Sequence, residues 1–91
     1  MARFEIAGLE SAAIAQAPAT ADAFYELGIK YSADSGVPAD FVSAHKWFNL
    51  AAMKGNKDAV RLRQEIAASM SPAEIAQAQR AARAWLAATR H

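Results

Sequence analysis

Four consecutive residues, Ser71-Pro72-Ala73-Glu74, constrain the fold of this chain more than any other feature. A serine hydroxyl can accept from the backbone N–H three residues on, and a glutamate there can reach back to the serine N–H. Proline at the first helical position loses no hydrogen bond and arrives with its φ already set. Together they predict a helix from Pro72 to about Ala88, with Ile75, Ala78, Ala82, Trp85 and Leu86 as its buried stripe at helical spacing.

The same logic divides the rest of the chain. Thr20 is a candidate cap for a helix over Ala21 to Tyr31, in which Ala23, Leu27 and Tyr31 share a face flanked by Phe24 and Gly28. The following SADSGVPAD is turn chemistry, and Asp40 is the natural cap for a second helix over Phe41 to Lys54. Ala44, Trp47 or Phe48, Ala51 and Ala52 are expected on its inner side. Gly55-Asn56 predicts a left-handed stop. A third helix is expected over Lys57 to Ser69, with Ala59, Leu62 and Ile66 facing inward. No segment alternates with the period of a strand. The fold class is therefore all-α, built of antiparallel helical hairpins with short connections. Residues 1–19 read as an arm or a short helix that ends before Pro18.

With 91 residues the chain is one domain. Hydrophobic residues make up 54% of it, but much of that is alanine, which favours helix and buries little area. Core energy must come from Phe4, Phe24, Tyr25, Tyr31, Phe41, Trp47, Phe48 and Trp85 with scattered Leu, Ile and Met. The absence of cysteine excludes disulfides and thiolate metal sites. No apolar stretch approaches a membrane span. Glu5 and Glu10 stand where a signal peptide needs an apolar run, so a cytoplasmic protein is expected.

Net charge is +1 but unevenly spread. Residues 1–53 carry three basic groups against six acidic ones, and residues 54–91 carry seven against three. Such asymmetry fits either a solvated surface or a face for an acidic partner.

Residues 21–59 resemble a Sel-one-like repeat, a relative of the tetratricopeptide fold. The resemblance rests on Ala23, Leu27, Gly28, Tyr31, Gly36, Val37, Asp40, Ala44, Trp47, Ala51, Ala52, Gly55 and Ala59, with Ala23 and Ala59 36 residues apart. It implies an α–α solenoid fragment: a repeat hairpin over 20–56 and a capping hairpin over 57–91. Leu27, Gly28, Tyr31, Gly36, Ala44, Trp47, Ala51 and Gly55 are then structural, as are Ser71 and Trp85 outside the repeat. Gly28 lets the second helix approach closely, which offsets the cost of about 1 kcal/mol for a mid-helix glycine. The pattern departs at Asp34, where a loop glycine is expected, and at Arg63 and Gln64, where a second Leu-Gly is expected. The C-terminal part is accordingly read as a cap rather than a second full repeat.

Catalytic chemistry is not legible. The six serines lie in loops, at caps or on helices, and His45 and His91 have no ligand-type partner at helical spacing. His45 is expected at the surface or at its boundary. Glu26 and Lys30, four apart, suit a surface ion pair. No catalytic residue, cofactor or metal is assigned. The resemblance implies a protein-interaction module, an adaptor or scaffold that binds a protein or peptide. Phe24, Tyr25 and Lys30 on the first helix, and Arg61, Arg80 and Arg83 on the later ones, are the candidate partner-binding residues. Self-association as a homodimer is the alternative. Nucleic-acid binding through the basic C-terminal helices is a third reading, weakened because Trp85 looks committed to the core.

Overall fold

A computed structural model describes residues 20–33 and 38–89, which form four α-helices and no strand. These are α1 (Ala21–Ser32), α2 (Phe41–Met53), α3 (Lys57–Ala67) and α4 (Pro72–Thr89). The arm over 1–19, the loop residues Asp34, Gly36 and Val37, and Arg90 and His91 lie outside the described residues.

Each helix start has a local cause. Thr20 Oγ1 accepts from the Ala23 N–H at 3.1 Å. Asp40 accepts twice from Ser43, at 3.1 Å from its N–H and at 2.8 Å from its hydroxyl. Asn56 Oδ1 accepts from the Ala59 N–H at 2.8 Å, so Asn56 opens α3 as well as following the end of α2. Ser71 and Glu74 close the reciprocal box: the Ser71 N–H donates to Glu74 Oε1 at 2.8 Å, and the Glu74 N–H donates to Ser71 Oγ at 3.1 Å. The stops are equally local. Gly55 takes φ 102°, and the Asn56 N–H donates back to the Ala51 carbonyl at 3.0 Å, satisfying a carbonyl that the helix end leaves open. The α1–α2 connection is tied by the Asp40 N–H, which donates to the Tyr31 carbonyl at 2.8 Å.

Helix α2 is the hub. Ala44, His45, Trp47, Phe48, Leu50 and Ala51 are all buried, more than one face of a helix can supply, because α1, α3 and α4 each pack on it. Leu50, expected nowhere in the core from spacing, belongs to that set. Helices α1 and α3 touch only slightly, and α4 packs on α2 rather than on α3. Among the described residues α3 and α4 therefore meet through α2 rather than directly. Met70, in the α3–α4 connection, is buried with the core.

Aromatic rings hold the hub together. Phe24 stacks on Trp47 with centroids 5.8 Å apart and planes 18° from parallel. Trp85 meets Trp47 edge-on at 5.2 Å, which docks α4 on α2. Tyr25 meets Phe48 at 5.9 Å. Such pairs contribute about 0.5–1.5 kcal/mol each beyond the area they bury. Lys46 Nζ lies 4.0 Å from the Trp47 ring centroid and covers the end of this stack.

Candidate functional site

Among the described residues two of the three exposed large hydrophobic side chains, Ile29 at 41% and Phe41 at 38%, stand beside the same depression. It is a groove of about 260 Å³ between α1 and α3, floored by the N-terminal half of α2. Ile29, Phe41, Leu62 and Ile66 supply its apolar surface over the buried ring of Phe48, and Ser32, Glu65 and Ser69 its rim. The groove exists because α1 and α3 both rest on α2 yet scarcely touch each other. Phe41 also borders a wider cleft of about 620 Å³ lined by Tyr31, Val42, Asp40 and Glu74, so the two depressions adjoin at Phe41 and are together termed the trough.

The carboxylates along this trough also serve the fold. Asp40 and Glu74 cap α2 and α4. Glu65 pairs with Arg61 at 3.2 Å, and Asp58 shares the same guanidinium at 3.8 Å. Both ion pairs are solvent-exposed and add little to stability.

Among the expected partner-binding residues, Phe24 is corrected. It is 1% exposed and stacked on Trp47, so it belongs to the core. From α1 its ring reaches α2 and lies on Trp47. Tyr25 is half-buried against Phe48, one turn before Ile29, and so adjoins the groove. Lys30 is exposed on α1. Arg61 is exposed but held by Asp58 and Glu65. Arg80 and Arg83 are exposed on α4, which scarcely meets α3, so the structure does not gather them with Arg61 into one surface.

His45 is also corrected. It is 4% exposed rather than at the surface, and its Nδ1 is buried without a hydrogen-bond partner. Burial, and secondarily the charge of Arg63, hold its pKa below the usual histidine value. Arg63 reaches across from α3 and donates to Asn49 Oδ1 at 2.6 Å, one turn along α2 from His45. Helix periodicity offers no sign of this burial, because it depends on α3 covering a second side of α2. Among the described residues no three of His, Asp and Glu cluster as a metal site would need, and no helix is long and apolar enough to cross a membrane.

Comparison with family models, curated proteins and solved structures returns no match to this chain.

Proposed function

We propose that this chain is a protein-interaction module of the Sel-one-like kind, and that it binds an amphipathic helix of another protein in the α1–α3 groove. The observation that carries the reading is the pairing of exposed Ile29 and Phe41 with Leu62 and Ile66 in one concave surface. Clustered exposed apolar groups of this kind mark contact sites, and a groove between two helices suits a third helix laid along it. The repeat reading is supported by the α1–α2 hairpin, by the capping Asp40, by the ring of Phe48 seated on Gly28, and by Trp47 at the centre of the core. The cap is modified: α4 leans on α2 through Trp85 instead of pairing with α3.

The test is site-specific photo-crosslinking in native extract. A photoreactive residue replaces Ile29 in one sample and Gln77, exposed on α4, in another. The reading expects a defined adduct from position 29 that disappears with Phe41→Ser, and none from position 77. Adducts of chain with itself from position 29 would favour the homodimer instead. Equal labelling from both positions would contradict a groove-directed function.

A further inference from the structure

We infer that the occupant of this groove is a cationic amphipathic helix, with Lys or Arg flanking its apolar stripe; this rests on the reading of the groove as a docking site. The trough carries three carboxylates, Asp40, Glu65 and Glu74, and no lysine or arginine among the described residues that line it. Lys30 follows Ile29 directly in the chain but does not line the groove.

Helix ends add to the same sign. Ser32 is the last residue of α1, and Ile66 and Ser69 lie at and just past the last turn of α3, so two helix C-termini open on the groove. Each presents a partial negative charge of about one half. The N-termini of α2 and α4 oppose this with partial positive charges of about one half each. Those two are more than offset by the full charges of their own caps, Asp40 and Glu74. Glu65 is paired with Arg61 at 3.2 Å, and Asp58 lies 3.8 Å from the same guanidinium, so Asp58, Arg61 and Glu65 together carry a net charge of −1, with Glu65 the member that lines the groove. The sum is an apolar floor under a negative field. A polyanion is repelled there, and a neutral apolar helix gains nothing from the rim. A helix with basic flanks satisfies both the floor and the field.

The probes are two synthetic helical peptides with the same leucine stripe, one flanked by lysine and one by glutamate. Fluorescence anisotropy measures their binding to the parent chain, to Glu65→Lys and to Ile29→Ser. The lysine peptide should bind the parent at least about tenfold more tightly than the glutamate peptide, and the gap should narrow between about 50 and about 300 mM salt. Glu65→Lys should weaken the lysine peptide severalfold while leaving the melting temperature nearly unchanged. Ile29→Ser should weaken both peptides. Equal binding of the two peptides, lost together on Ile29→Ser, would overturn the cationic occupant and leave the groove standing. Binding of the lysine peptide that is indifferent to Ile29→Ser, or no binding of either peptide, would overturn both.

Discussion

The ring of Phe48 occupies the space that a side chain on Gly28 would fill. A Cβ built on Gly28 would lie 2.9 Å from Phe48 Cγ and closer still to Cδ1 and Cε1. Real Cβ atoms do not approach ring carbons that closely, so α1 and α2 owe their spacing to the missing methyl. On a free helix Gly→Ala gains about 1 kcal/mol. Here the overpacking penalty of about 1–3 kcal/mol opposes it, because Phe48 is fully buried and has no room to turn. Gly28→Ala should therefore lower stability in urea unfolding. A gain near 1 kcal/mol would mean that the two helices are not in contact there.

Trp47 and Trp85 should separate by degree. Trp47 is 2% exposed and touches both Phe24 and Trp85, whereas Trp85 is half-buried. Trp47→Ala should cost about 3–5 kcal/mol, most of what a small domain has in hand. Trp85→Ala should cost roughly half as much. Thermal unfolding of each beside the parent measures this. A Trp47→Ala melt within a degree or two of the parent would show the wrong packing for α2.

His45 sets an acid limit on stability. Its folded pKa is depressed below the unfolded value of 6.5, by burial first and by Arg63 second. The unfolded chain thus takes up the proton more readily. The contribution is intact above pH 6.5 and is lost progressively as pH falls through that value toward the folded pKa. Unfolding free energy should decline as pH falls below 6.5. His45→Leu should flatten that part of the profile. An identical slope in the parent and in His45→Leu would place the titration elsewhere.

Ser71→Ala removes one arm of the capping box and should cost about 1 kcal/mol. Glu74→Gln keeps an acceptor for the Ser71 N–H and should cost less. Circular dichroism melts order the two variants. A larger loss in Glu74→Gln would indicate that the charge of Glu74, not its hydrogen bond, holds the α4 start.

What was legible in the sequence was local. Thr20, Asp40 and Ser71 each bond to a residue three positions on, and Gly55 marks its own positive φ, so these boundaries follow from short windows, whereas Asn56, read only as part of the α2 stop, also caps α3. What was not legible depends on how many neighbours a helix has. A periodic stripe reveals one buried face, but α2 is covered by three helices, so the burial of His45 and Leu50 on its further sides is not legible from spacing; Phe24, which spacing offers both to the core and to a partner, is settled for the core only by its stacking on Trp47. Met70 was missed because it lies between helices, where spacing carries no signal. The groove itself is a gap between α1 and α3, set by the size of the α2 residues beneath, and no segment taken alone encodes it.

The most direct test of the docking account is an NMR titration of the isotope-labelled chain with the lysine-flanked peptide. Amide shifts should move at Ile29, Ser32, Phe41, Leu62, Glu65 and Ser69, which share the groove. Those of Gln77, Arg80 and Arg83, exposed on α4, should stay in place. Shifts concentrated on α4, with the groove residues unmoved, would contradict the account.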